Sequence, residues 1–207
     1  MATRERVKLD MVLPMARANY AYVFKPRASD EPGKEGSYSV TLAIPKDDEN
    51  DPEGAINDMI LEAARSKWGA EADKWLERGK IASPLHDGDD NDDESMHDHW
   101  LITARRKESF GPPGIVDARV MPIVNQTDFY SGCVCYASVS FFPYENKGKK
   151  GIGCGLNNLQ KIRDGDRIGG KTDPKQDFKP LAGAGKKGAA PAGKRAKQED
   201  FDDDIPF

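Results

Sequence analysis

The sequence predicts a mostly β fold, a small barrel or sandwich, with a helical insertion and a disordered C-terminal tail. Three observations lead there. Residues 37–44 and 133–142 alternate apolar and polar side chains with the period of two expected of half-buried strands. Residues of about 51–80 instead carry apolar side chains at helical spacing. The last 29 residues are almost entirely Gly, Ala, Pro, Lys and acids, a composition that cannot bury enough apolar surface to offset the entropy of ordering.

Taken in chain order, residues 19–24 (Asn-Tyr-Ala-Tyr-Val-Phe) form the first strand candidate. Its orientation is open, because Ala21 and Val23 make as plausible an inner face as Tyr20, Tyr22 and Phe24. A Gly/Lys/Glu segment at 31–36 turns the chain into a second strand, where Tyr38, Val40, Leu42 and Ile44 face one way and Ser37, Ser39, Thr41 and Ala43 the other. Asp51-Pro52-Glu53 has the form of a helix start. Ile56, Met59, Ile60, Ala63 and Ala64 then share one helical face up to Gly69, and residues 71–78 add a second short helix carrying Trp75 and Leu76. Strand candidates follow at 99–104, 115–124 and 133–142. After a Gly-punctuated turn bearing Lys147, Lys149 and Lys150, the chain resumes an extended run at 151–156. No internal repeat is visible.

The net charge of −4 is a sum of unlike parts. Residues 1–178 hold 25 bases and 30 acids, but seven of those acids lie in one loop, 84–99, that has no Lys or Arg. The rest of the folded part is mildly basic. Residues 179–197 carry six bases and no acid, and read as a disordered basic linker. Residues 198–207 carry five acids and no base, yet end in Ile205, Pro206 and Phe207, which a purely solvating tail does not need. No window approaches the roughly 18 apolar residues of a membrane span. The first residues lack a secretory stretch, and three cysteines are an odd set, so a reducing, cytoplasmic setting is expected.

Motifs that suggest catalysis or metal binding fail on context. Gly165 to Thr172 matches the phosphate-loop pattern GxxxxGK[ST], but the polar run before it is no buried strand and the residues after it have no apolar helical face. Asp89, Asn91 and Asp93 have the first calcium-loop spacings, whereas Glu94 and Trp100 stand where Gly and Glu are required. His86, His97 and His99 lie among carboxylates in a loop read as solvated, and Cys133, Cys135 and Cys154 read as buried core thiols. No metal or cofactor is implied, and the chain is expected not to be an enzyme.

What remains is aromatic and basic. Tyr136, Phe142 and Tyr144 share a strand face otherwise built from Ser, three lysines follow, Lys161, Arg163 and Arg167 lie nearby in sequence, and Arg105, Arg106 and Lys107 end another strand. Flat rings for stacking beside cations for phosphate are what binding of single-stranded nucleic acid requires. Strand aromatics are often core instead, but Cys133, Ala137, Val139 and Phe141 already supply a core face here. The candidate single-strand contacts are therefore Tyr22, Trp100, Arg105, Lys107, Tyr136, Phe142, Tyr144, Lys147, Lys149, Lys150, Lys161 and Arg163.

The ending, Glu199-Asp200-Phe201-Asp202-Asp203-Asp204-Ile205-Pro206-Phe207, resembles the acidic tip of bacterial single-stranded DNA-binding proteins. The body resembles a phage and prophage family of single-stranded DNA-binding proteins with an oligonucleotide/oligosaccharide-binding (OB) barrel. The matching stretches are Tyr20–Phe24 with Pro26, Tyr38–Lys46, Pro84–Asp89, Pro113–Asp117, Tyr130–Cys133 and the run from Gly155 to Gly170. The resemblance implies a protein that coats single-stranded DNA without sequence specificity, in phage replication, recombination and repair. In the tip family the terminal residues dock on partner proteins, so Ile205, Pro206 and Phe207 would anchor, and Asp202, Asp203 and Asp204 would steer, replication and repair proteins of the host. A homo-oligomer is possible on the same grounds. The competing readings are an adaptor that uses the tip without binding DNA, and a nuclease or NTPase.

Overall fold

The computed structural model describes residues 9–29, 31–49 and 51–168. Eight strands and two helices follow in order: β1 (Leu9–Arg27), β2 (Ser37–Pro45), α1 (Pro52–Trp68), α2 (Glu71–Glu77), β3 (Ile81–Ala82), β4 (Leu85–Asp87), β5 (His99–Lys107), β6 (Gly114–Val116), β7 (Val134–Asn146) and β8 (Lys149–Arg163). The expected tail, with the linker at 179–197 and the tip at 198–207, lies outside the described residues.

Five strands close into a barrel. β1 pairs antiparallel with β2 through its second half and with β7 through its first half. β2 pairs with β5, β7 pairs with β8, and a parallel contact of β5 with β8 completes the ring. That cyclic order, first–second–third–fifth–fourth, with the one parallel pair between third and fifth, is the OB arrangement the resemblance implies. The alternation read from the sequence holds. Val40, Leu42 and Ile44 of β2, Cys135, Ala137, Val139 and Phe141 of β7, and Ile152, Cys154 and Leu156 of β8 all point into one core. The three thiols are free and buried, and burial pushes those of Cys135 and Cys154 up to about 12.

The helical insertion packs on β1, β7 and β8. Asp51 caps α1 by accepting a hydrogen bond from the Gly54 N–H at 3.1 Å, and Ile56, Ile60, Ala63 and Ala64 are the buried face.

Three expectations need correction. The first strand begins at Leu9, ten residues before the alternation becomes legible. Pro14 sits where the β1–β7 register shifts between Leu13 and Ala16, and this bulge breaks the period of two. A second shift between Asn19 and Tyr22, with Tyr20 at φ 48°, explains why neither face of 19–24 was decidable. The stretch 115–124 is strand only to Val116. Asp117 then accepts the N–H groups of Arg119 and Met121, both at 2.8 Å, and reverses the chain. β7 and β8 run on to Asn146 and Arg163, making one long hairpin.

The acidic loop is solvated as expected, with Asp89 to Ser95 exposed, and it also has a defined fold. Lys46 Nζ bonds Asp87 Oδ1 at 2.5 Å and Asp89 Oδ2 at 2.7 Å. Asp89, Asn91 and Asp93 spend side-chain oxygens on the backbone N–H groups of Asp98, Asp93 and Ser95. Met96 is buried against Ala43 and Leu101, and Gly88 passes so close to the Met96 carbonyl that a Cβ has no room. The sequence conceals this because the loop is fastened by Lys46, Met96 and two β1 side chains distant in sequence: Arg17, which donates to the Ser95 carbonyl, and Asn19, whose amide lies 3.3 Å from Met96 Sδ.

The anchoring has a pH signature. Hydrogen bonds from Lys46 hold the Asp87 and Asp89 carboxyls below their usual range, and those same bonds raise Lys46. The carboxylates' contribution is present above the usual carboxylate range and is lost as pH falls through their lowered values. The lysine's contribution is lost only as pH rises through its raised value. Amide exchange at Asp98, whose N–H bonds Asp89 Oδ1 at 2.7 Å, should lose protection only as the pH falls below the usual carboxylate range. Lys46→Gln should produce the same loss at neutral pH; unchanged protection in that variant would contradict the account.

Candidate nucleic-acid interface

On the outer surface of the barrel, register aligns residues from five strands. Tyr22 of β1 lies opposite Ser39 of β2, Ser39 opposite Arg105 of β5, Arg105 opposite Gly155 of β8, and Gly155 opposite Ser140 of β7. Tyr22 is exposed. Arg105 is exposed and makes no ion pair among the described residues. The outward positions beside them are small and hydroxylated: Ser37 and Thr41 on β2, and Thr103 on β5, whose Oγ1 lies 2.9 Å from that of Thr41.

The strip continues onto the β7–β8 hairpin through a feature the sequence reading missed. Gly151, Gly153 and Gly155 alternate with the buried Ile152, Cys154 and Leu156, so bare backbone faces outward. Aromatic rings lie on it. A Cβ at Gly153 would stand 2.5 Å from the Phe142 ring, and one at Gly151 would stand 2.5 Å from the Tyr144 ring. Each ring covers the glycine paired with it in the β7–β8 register. Tyr144 is 41% exposed, and Phe142 is half-buried. The signal was available in Gly-Ile-Gly-Cys-Gly-Leu, read only as an extended run. Gly155 lies opposite Arg105 of β5, and a Cβ there would stand 3.4 Å from Phe142 Cε1, so the Phe142 ring borders the seam at which β5 meets β8.

The structure distributes the other candidate residues unevenly. Lys147 and Lys149 are exposed at the tip of the β7–β8 hairpin, beside Tyr144. Lys107 lies two residues beyond Arg105 and pairs with Glu35 at 2.8 Å. Lys150 turns to the helical insertion, with Glu145 at 3.4 Å and the Trp75 ring centroid at 5.2 Å. Lys161 bonds Asp164 at 2.7 Å and the Asp128 carbonyl, and lies over Tyr130. Arg163 is exposed at the far end of β8 beside Arg17.

Trp100 and Tyr136 stand apart from the strip. Trp100 is opposite Ile44, packed on the core, with Lys46 Nζ 4.8 Å from its ring centroid. Tyr136 is exposed near Val12 and Met15, six residues or about 20 Å along β7 from Phe142.

The phosphate-loop string has a different part. Gly165 to Ile168 forms no helix. Its start is pinned by the Tyr130 hydroxyl to Asp164 at 2.9 Å and by Ile168 N–H to the Ser131 carbonyl, and Arg167 stacks 3.8 Å over Tyr130. The remainder of the string lies outside the described residues.

A face of rings, hydroxyls and cations, with glycine backbone beneath, can stack bases and meet phosphates without reading base edges. Comparison with known proteins agrees with that chemistry. The chain is 28% identical over 183 residues to protein p50 of Acyrthosiphon pisum secondary endosymbiont phage 1, a match covering 86% of this chain and 94% of p50. Among solved structures it resembles the single-stranded DNA-binding protein of bacteriophage Enc34 in complex with ssDNA. There the TM-score is 0.66 and the identity 21%, covering 81% of this chain and all of the other. It also resembles gp2.5, a single-stranded DNA-binding protein of bacteriophage T7, with TM-score 0.58 and 17% identity over 85% of this chain and 98% of that one. The family described as the Enterobacter phage Enc34 ssDNA-binding protein matches residues 9–201, and the chain belongs to it.

Proposed function

We propose that the chain binds single-stranded DNA across the strip from Tyr22 through Ser39 and Arg105 to Phe142 and Tyr144, without base-edge specificity, and serves phage DNA replication, recombination and repair in the host cytoplasm. The observation that carries this reading is an outward strip on which exposed Arg105 stands across the β5–β8 seam from glycine backbone covered by the Phe142 and Tyr144 rings. Bases stack on the open ring faces. Arg105, Lys147 and Lys149 take phosphates, and the small Ser and Thr side chains between them leave room for the strand. Family membership and the ssDNA complex of the Enc34 relative support the same reading.

Residues 202–207 are proposed to dock on host replication and repair proteins, by their resemblance to the bacterial tip. The family match ends at Phe201, so this part rests on the last six residues alone.

Four outcomes are expected. Labelled oligo-dT should bind with affinity that falls steeply with salt, and a duplex of equal length should compete poorly; no binding at low salt would overturn the reading. Phe142→Ala and Tyr144→Ala should each weaken binding by about 1–3 kcal/mol with little change in salt slope. Arg105→Ala should lower that slope by about 0.7. Deleting residues 199–207 should abolish capture of host replication proteins while oligo-dT binding persists; capture that survives the deletion removes the tip from the account.

A further inference from the structure

We propose that Lys107 Nζ and the backbone N–H of Ser109 form a phosphate subsite of the interface, and that the Glu35 carboxylate is its built-in occupant in the free protein. The inference rests on the single-strand reading above. Glu35 Oε1 lies 2.8 Å from Lys107 Nζ, and Oε2 accepts the Ser109 N–H at 3.1 Å. An ammonium and a backbone N–H converging on one anion are the donors that a backbone phosphate takes from proteins.

The position suits a nucleic-acid strand. Lys107 follows Arg105 by two residues on β5, so both lie on the outward side, and Lys107 is opposite Ser37. A 240 Å³ cavity next to them is lined by Arg27, Ser37, Ser39, Arg105, Glu31 and Glu35. Glu35 is delivered there by the loop between β1 and β2, which is tied to the end of β5 by the Glu108 N–H donating to the Gly36 carbonyl at 3.0 Å. Glu31, on the same loop, pairs instead with Lys34 at 2.6 Å and leaves the β5 donors alone.

The contact can be exchanged but not titrated away. An exposed ion pair is worth little and is screened by salt, so a phosphate can replace the carboxylate. Protonation does not release it at neutral pH, because hydrogen bonds from Lys107 and Ser109 hold the Glu35 carboxyl down at about 2. Glu35 therefore acts as a competitor for the same donors. It lowers affinity for short or weakly held strands and yields to a strand anchored on Arg105 and the rings.

The test is oligo-dT titration of the full chain at several salt concentrations, with Glu35→Gln, Glu31→Gln, Lys107→Gln and the Glu35→Gln/Lys107→Gln pair. Glu35→Gln should tighten binding about two- to fivefold, the scale of one exposed ion pair. Glu31→Gln, with the same charge change, should gain less than half of that, and the Glu35→Gln gain should vanish when Lys107 is absent. An unimproved Glu35→Gln, an equal gain in Glu31→Gln, or a gain that survives loss of Lys107 would each overturn the subsite. Failure of the wild-type chain to bind oligo-dT would instead overturn the single-strand reading itself.

Discussion

Closure of the barrel rests on the parallel contact between β5 and β8, where Arg105 meets Gly155. Without it, β5 and β8 would each present an open edge, and the core between β2 and β7 would be uncovered on one side. The same contact sets the outer surface. It sets Arg105 of one strand opposite Gly155 of the other, next to the glycine backbone that the Phe142 ring covers. A side chain on β8 at Gly153 would collide with the Phe142 ring, its Cβ standing 2.5 Å away. Fold and interface thus depend on one seam, and the seam depends on glycine alternating with buried Ile152, Cys154 and Leu156.

Charge is sorted along β5. Its first residues, His99 and Trp100, adjoin the acidic loop that Lys46 and Met96 fasten to the barrel; its last, Arg105 to Lys107, reach the cationic end. Not all of that basic run is available to a ligand. Arg106 is spent on the carbonyls of Gly111 and Phe110 at 2.9 and 3.0 Å. The low net charge of the chain therefore conceals an uneven surface: the acids of the 84–99 loop are held at the start of β5, whereas Arg105 near its other end shares a cavity with Glu31 and Glu35.

How much of this was legible in the sequence depended on how far local pattern determined the outcome. The faces of β2 and β7 were readable, because strict alternation against a single core leaves one solution. The helix start at Asp51-Pro52 was readable for the same local reason. The first half of β1 was not, since two bulges reset the period, and Val116–Val124 was not, since one carboxylate turns it back. Of the interface residues, Phe142 and Tyr144 could be placed on an outward face, but Tyr22 could not. The grouping of Arg105 with the rings was invisible, because it depends on a pairing between strands some fifty positions apart. Trp100, Lys150 and Lys161 have the residue types of binders, yet the tertiary structure gives each a neighbour that occupies it: Lys46, Glu145 and Asp164, respectively.

The central claim is that a single strand crosses the Arg105–Gly155 seam and stacks on the rings beside it. Photocrosslinking of 5-iododeoxyuridine oligonucleotides, with adducts mapped by mass spectrometry, tests this most directly. The account predicts adducts on Tyr22, Phe142 and Tyr144. Adducts concentrated on Tyr136 or Trp100, with none on those three, would contradict it.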